Sequence, residues 1–270
     1  MPAVRANEID IYYEEHGSGE PLLLIMGWGG NAATWKPQLP GLAERFRVIT
    51  FDNRGVARTS APEGPYTVAE LAGDAVALLD ALDVPRAHVL GISMGGMVAQ
   101  ELALNYPERV GALVLGCTTP GSDRAAGVAE LYEKINTFRA MDGDGGPDLV
   151  WFAEFLHHLW TDEALTKSDE YLQDFVFSII RYPPTGHGLR AQADAVAAHD
   201  TFDRLPCIRH PTLVMTGAED TLIDPGNSEI LAERIPDAGL LVFGGLKHAF
   251  HLERPDLINP PVIEFLERFG

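Results

Sequence analysis

The sequence predicts an α/β fold in which a mostly parallel sheet is flanked by helices and interrupted by an inserted helical cap. Three observations predict it. Short, β-branched apolar runs that do not alternate recur along the chain, as strands buried on both faces do. Segments with helical spacing separate them, so strand and helix alternate. From about Asp123 to Asp203 the alternation stops, and only aromatic-rich helical patterns remain.

Taken in order, Ile9 to Glu15 reads as an extended segment closed by the turn His16-Gly17-Ser18-Gly19, and Leu22 to Met26 as a buried strand. A Gly-rich turn follows at Gly27-Trp28-Gly29-Gly30. Further strands are expected at Val48 to Phe51, His88 to Ile92, Val110 to Leu115, Leu213 to Met215 and Leu240 to Phe243. Val68, Leu71, Ala72, Ala75, Leu78, Leu79 and Leu82 fall on one face of a helix, as do Val98, Leu102 and Ala103. These elements assign residues 1–120 and 206–270 to the core and 121–205 to the cap. Within the cap, Gly143-Asp144-Gly145-Gly146-Pro147 and Pro183-Pro184-Thr185-Gly186 break the helices. Trp151, Phe155, Leu159 and the adjoining Trp160 share a wide apolar face. That face can pack on the core, roof a pocket, or do both.

Composition bounds what such a protein does. With 270 residues, 46% hydrophobic and 22% charged, the chain has the mix of one large folded domain. Thirty-nine acidic against 20 basic side chains give a formal charge of -19, which repels a phosphate backbone or an anionic bilayer. Nucleic acid is therefore not an expected partner, nor is a membrane, because no apolar run approaches the roughly 20 residues of a spanning helix. Cys117 and Cys207 form no disulfide framework or thiolate metal site, and the amino terminus turns polar before a signal peptide could form, so a reduced, cytoplasmic compartment is expected.

The chemistry concentrates in Gly91-Ile92-Ser93-Met94-Gly95, a G-x-S-x-G that a strand enters and a helix leaves. Such a turn lifts the serine hydroxyl above the sheet, and its tightness requires glycine at both flanks. The bland alternative is a serine capping an ordinary helix. A serine hydroxyl needs a base to take its proton and a carboxylate to orient that base. Asp220 follows the strand ending at Met215, and His248 follows the strand ending at Phe243, so nucleophile, acid and base all lie after strand ends. Glu219, Asp224 and His251 compete for these roles; Asp224, beside Pro225, reads better as a helix cap, and His251 as part of an apolar wall. The backbone N–H groups of Met94, just after the nucleophile, and of Trp28, in the early glycine turn, are the expected oxyanion donors.

With these residues assembled, nearly the whole chain resembles the α/β-hydrolase superfamily, in particular its cap-bearing esterase and lactonase-like members. Asp52-Asn53-Arg54-Gly55-Val56-Ala57-Arg58-Thr59-Ser60 resembles the family's D-x-R-G-x-G-x-S loop, and His248, Glu253 and Pro255 resemble its H-x-x-x-x-E-x-P ending. Ala57 and Lys247 replace usual glycines, and Met26 stands where many members carry histidine. The resemblance implies the α/β-hydrolase fold and acyl chemistry at Ser93, Asp220 and His248, with no cofactor and no metal. The partner it implies is a small-molecule ester. Lactones, thioesters, carbon–carbon bonds and perhydrolysis would use the same triad. An acidic nucleophile, as in dehalogenases and epoxide hydrolases, is absent at Ser93.

Other classes compete less well. Gly27-Trp28-Gly29-Gly30-Asn31-Ala32 with Asp52 fits a dinucleotide fingerprint on paper, but it leaves Ser93, Asp220 and His248 unexplained. A non-catalytic module that keeps the fold and holds a small ligand in the capped pocket also competes, since fold alone does not decide between them, though an intact triad weighs against it. Asp142-Gly143-Asp144 begins like a calcium loop and then departs from the pattern. For the pocket, Trp151, Phe155 and Trp160 are the expected walls, with Phe152, Phe175 and Phe177 nearby. The cations of the cap, Arg139, Arg181 and Arg190, have no assigned place in it.

Overall fold

In a computed structural model, residues 3–139, 149–167 and 169–270 are described. The Asp142-Gly143-Asp144 segment, the breaker Gly143 to Pro147 and the Arg139 side chain lie outside them. Eight strands form one sheet: β1 (Ala3–Ala6), β2 (Ile9–His16), β3 (Glu20–Ile25), β4 (Phe46–Phe51), β5 (Ala87–Ile92), β6 (Val110–Gly116), β7 (Thr212–Gly217) and β8 (Ala238–Phe243). Their order is β1-β2-β4-β3-β5-β6-β7-β8. Every pairing from β4 to β8 is parallel; only the β1–β2 and β2–β4 pairings are antiparallel.

Strands β3, β5, β6 and β7 are buried almost throughout because helices cover both faces, which is why their sequences do not alternate. Edge strand β8 is different. Half of Val242 meets solvent, so the expectation of two buried faces fails at this margin. Strand β1 has no counterpart in the sequence reading. It forms a hairpin with β2 through Asn7 and Glu8, both at positive φ, and its turn lacks the glycine that usually marks such a hairpin.

The helices are α1 (Leu39–Leu42), α2 (Val68–Ala81), α3 (Met94–Asn105), α4 (Val128–Arg139), α5 (Leu149–Leu159), α6 (Asp162–Lys167), α7 (Glu170–Arg181), α8 (Gly186–Ala198), α9 (Gly226–Arg234), α10 (Phe250–Glu253) and α11 (Pro255–Leu266). Thr67 caps α2 by accepting from the Glu70 N–H, and Thr185 caps α8 by accepting from the Gly188 N–H. Helices α4 to α8 fall between β6 and β7, and the two ends of that stretch meet in a bridge between Gly121 and Asp200. Their buried residues, among them Ile135, Leu159, Leu172 and Ala193, belong to one apolar cluster with Leu71 of α2, Val89 of β5 and Val98 of α3.

Among the described residues no helix is long and apolar enough to cross a membrane.

Candidate active site

The turn from β5 into α3 has the geometry that G-x-S-x-G demands. Ser93 sits at φ 58 and ψ -123, a conformation costly for a side chain-bearing residue and held here by the surrounding packing. A Cβ on Gly91 would lie 2.2 Å from the Gly95 carbonyl oxygen, and one on Gly95 would lie 2.0 Å from that of Ile25. Neither position admits a side chain. The Ser93 N–H donates to the Gly116 carbonyl, and Thr118 Oγ1 donates to the Ser93 carbonyl, so the end of β6 supports the turn from below.

Asp220 and His248 meet as the chain order implies. Asp220 Oδ2 is 2.7 Å from His248 Nδ1, while Oδ1 accepts from the Leu222 and Ile223 N–H groups at 2.8 and 3.0 Å. The competitors go elsewhere: Asp224 Oδ1 accepts from the Gly226 N–H at the start of α9, and His251 has no carboxylate partner. Burial pushes the His248 pKa down, but the adjacent Asp220 carboxylate outweighs it and holds the imidazole well above the ordinary histidine value. Ser93 and His248 line one cavity, with no hydrogen bond between Ser93 Oγ and the imidazole.

His248 Nε2 lies instead 3.8 Å from the Cys117 sulfur. Cys117, at φ 39 just past the end of β6, is fully buried, and burial raises its thiol pKa. The sequence reading missed this neighbour, although Cys117 follows a strand end as Ser93, Asp220 and His248 do. Donor atoms of Cys117, Asp220 and His248 lie within 4.8 Å of one another, but Asp220 and His248 are already bonded to each other.

The Gly27-Trp28-Gly29-Gly30 loop approaches the turn so closely that a Cβ on Gly27 would lie 2.9 Å from that of Ser93. Gly27 is thus accounted for by Ser93, Gly29 by its positive φ and by Leu189, and Gly30 by the Met26 side chain, with no dinucleotide needed. Asp52 is likewise spent internally, accepting from the Ala32 N–H at 2.7 Å and pairing with Arg58 at 2.8 Å. Trp28 and Met94 both line the cavity, and Met94 opens α3, where an amide has no acceptor within its own helix.

The cavity has a volume of about 130 Å³. Trp151 and Phe155 stack at 5.0 Å on one side of it, and each meets the Trp28 ring edge to face. Phe152 and Phe175 also line it. Trp160 does not, contrary to expectation: its N–H still donates to the Leu156 carbonyl, but at 3.6 residues per turn it stands about 180° around the helix axis from Trp151, buried with its ring tilted against Phe175. Phe177 is 65% exposed because Phe175 and Ile179, one turn apart on α7, take the inward face. No Asp, Glu, Lys or Arg lines the cavity among the described residues.

Polar ties that the sequence reading missed join the α7 and α8 side to the glycine loop. Trp28 Nε1 donates to the Leu189 carbonyl at 2.9 Å, the Gly29 N–H donates to Gln192 Oε1, and Gln192 Nε2 donates to the Arg54 carbonyl. Gln192 could have been singled out only as a buried-position polar residue in a helix. Ala57, where the family's loop usually carries glycine, sits at φ 51, a left-handed conformation that explains the usual residue.

A strained serine between strand and helix, a histidine paired to a buried carboxylate and a roof of helices over them define an α/β hydrolase. The chain belongs to the α/β hydrolase fold family, which it matches over residues 20–255. It is 33% identical to RutD of Azorhizobium caulinodans, a protein named as a candidate carbamate hydrolase, over 98% of each chain. Among solved structures it is similar to a thermophilic esterase from Thermogutta terrifontis (TM-score 0.88, 26% identity, 99% and 98% covered). It is also similar to the enol-lactonase from Burkholderia xenovorans LB400 (TM-score 0.87, 25% identity, 98% and 100% covered).

Proposed function

We propose that this hydrolase cleaves carboxylic esters through an acyl-enzyme on Ser93. The observation that carries the reading is the Ser93 turn opening into the same cavity as His248, whose Nδ1 is held 2.7 Å from Asp220. Ser93 Oγ attacks the ester carbonyl while its proton passes to His248 Nε2, and the backbone N–H groups of Trp28 and Met94 receive the negative charge on the former carbonyl oxygen. His248 then gives that proton to the departing alcohol. In the second half a water, deprotonated by His248, attacks the acyl carbonyl and releases the acid and Ser93. Asp220 fixes the tautomer throughout. For the first step His248 Nε2 must leave the Cys117 sulfur for Ser93, a tightening typical of the substrate-bound state.

Residues 121–205 act as the lid, with Trp151 and Phe155 as acyl-pocket walls. A small cavity without charged side chains among its described residues suits neutral, small to medium esters. Arg181 and Arg190 are not in its lining, which disfavours anionic substrates. The likeness to an esterase supports ester hydrolysis, and the likeness to an enol-lactonase supports lactone opening as the second reading. The free cysteines suit a reducing, cytoplasmic setting. A fluorophosphonate should add its mass to Ser93, and Ser93→Ala should abolish labelling and lower ester turnover by roughly 10⁴- to 10⁶-fold. Equal labelling of the two proteins would overturn the assignment.

A further inference from the structure

The face that α8 buries is made of Gly188, Ala191, Ala193, Ala195 and Val196, with one polar member, Gln192. A buried amide costs free energy unless both its ends are paired, and both are: Oε1 accepts from the Gly29 N–H at 3.1 Å and Nε2 donates to the Arg54 carbonyl at 2.8 Å. The Gly27-Trp28-Gly29-Gly30 loop is held on either side as well. Before it, Asn53 Nδ2 donates to the Met26 carbonyl at 2.9 Å, and after it the Ala32 N–H donates to Asp52 Oδ1 at 2.7 Å. Its centre is held from α8, where Gln192 takes the Gly29 N–H and the Leu189 carbonyl takes the Trp28 indole N–H. Helix α8 is itself seated on the Arg54–Gly55 backbone: a Cβ on Gly188 would lie 2.1 Å from the Gly55 carbonyl oxygen. Both flanks and the middle of the loop are thereby referred to one segment, Asp52 to Gly55. Glycine on each side of Trp28, with Gly29 at φ 67, gives the backbone there little resistance of its own to rotation. The direction of the Trp28 N–H therefore depends on what ties the amide after it.

We propose that Gln192 is a positioning residue that holds the Trp28 N–H where negative charge develops on the substrate carbonyl oxygen. Gln192 does not line the cavity; it acts through the Gly29 amide, and its role rests on the acyl-enzyme reading of Ser93. A hydrogen bond aimed at developing charge contributes mainly in the transition state. Misplacing it lowers kcat/KM and weakens mimics of the tetrahedral state, while ground-state binding barely changes. Removing such a donor outright costs roughly 10²- to 10³-fold, and misplacing it costs less, so a loss of about 10- to 100-fold is expected.

The test compares the wild type with Gln192→Met, which fills similar space but offers nothing to Gly29 or Arg54, on ester turnover and on two ketones of one shape. With butyl trifluoromethyl ketone, Ser93 Oγ adds to the carbonyl carbon, the C=O π pair moves onto the ketone oxygen and the serine proton passes to His248, so the adduct carries an oxyanion. Butyl methyl ketone binds without adding. Gln192→Met should lower kcat/KM for p-nitrophenyl butyrate and the affinity for the trifluoromethyl ketone together, each by about 10- to 100-fold, and keep the methyl ketone affinity within about threefold of the wild type. A trifluoromethyl ketone affinity within about threefold of the wild type, or equal losses for the two ketones, as a loosened pocket would give, overturns the proposal. If Gln192→Met does not fold, Gln192→Asn, which keeps an amide in the core but is one methylene too short to bridge Gly29 and Arg54, is judged by the same ratios. A protein that takes up the trifluoromethyl ketone on Ser93 with these ratios but cleaves no ester loses the ester reading and keeps the positioning role. An active wild type whose variant keeps both ketone affinities does the reverse. A wild type that neither cleaves esters nor adds the ketone at Ser93 removes both.

Discussion

Two buried histidines should make this protein lose stability between pH 7 and pH 5. His199 and His251 are both almost wholly buried, and desolvation lowers each pKa to about 3, with Arg204 adding to the effect at the first and His248 at the second. Above about pH 6.5 both are neutral whether the chain is folded or not, and they impose no cost. Below it the unfolded chain takes up protons that the folded chain refuses, so stability falls as pH drops from about 6.5 toward 3. At pH 5, some 1.5 units below the unfolded value, each histidine favours unfolding by about 2 kcal/mol. His248 works in the opposite sense. Its raised pKa stabilises the fold below about pH 6.5 and loses that contribution as pH rises through the folded value, so acidification from pH 7 to 5 returns less than about 1 kcal/mol. These three histidines together should cost about 3 kcal/mol, with His88 and His158, whose pKa values burial also lowers, acting in the same direction; the fall in unfolding free energy is measurable from urea titrations followed by tryptophan fluorescence. His199→Gln should shrink the pH 7 to pH 5 difference by about 2 kcal/mol, whatever it does to stability at pH 7. A wild type equally stable at the two pH values, or a variant with an undiminished difference, would refute the reasoning.

Because His248 must be neutral to accept the Ser93 proton, kcat/KM should rise with pH through an apparent pKa above about 6.5, set by Asp220. Asp220→Asn should lower that midpoint and cost about 10⁴-fold in rate, and a profile flat from pH 5 to 8 would contradict a histidine base. Along p-nitrophenyl acetate, butyrate, octanoate and palmitate, kcat/KM should first climb about three- to fourfold per added carbon and then fall when the chain meets Trp151 and Phe155. Phe155→Ala should move the optimum to longer chains, and a wild-type preference for palmitate would exclude the small pocket.

The parts of this site that were legible in the sequence are those imposed by local backbone geometry. Ser93 at φ 58 leaves no room at Gly91 or Gly95, so the constraint is written at fixed offsets within five residues. Asp220 and His248 were legible because each follows a strand whose own apolar run announces it, and a parallel sheet brings strand ends to one edge. Cys117 obeyed the same rule and was passed over, since only the pairing of β6 between β5 and β7, with Gly116 opposite both Ile92 and Met215, brings its sulfur to His248. No spacing along the chain encodes that register.

The roof was harder to read for a related reason. A helical period says which residues share a face but neither where the helix stops nor what the face meets. Trp160 adjoins Leu159 in the sequence, but it lies about 180° around the helix axis from Trp151 and so turns away from the cavity. Phe177 is aromatic like Phe175 and stands beside it in the sequence, but two residues along a helix turn a side chain to the far surface. What orients the roof is instead a set of long-range polar contacts: Gln192 spans 163 residues to Gly29 and 138 to Arg54, and the Trp28 indole spans 161 to Leu189. These contacts fasten the loop that carries one expected oxyanion donor to the helices that shape the pocket. Substitutions at Gln192 should therefore disturb turnover and substrate choice together, a coupling that no motif in the sequence announces.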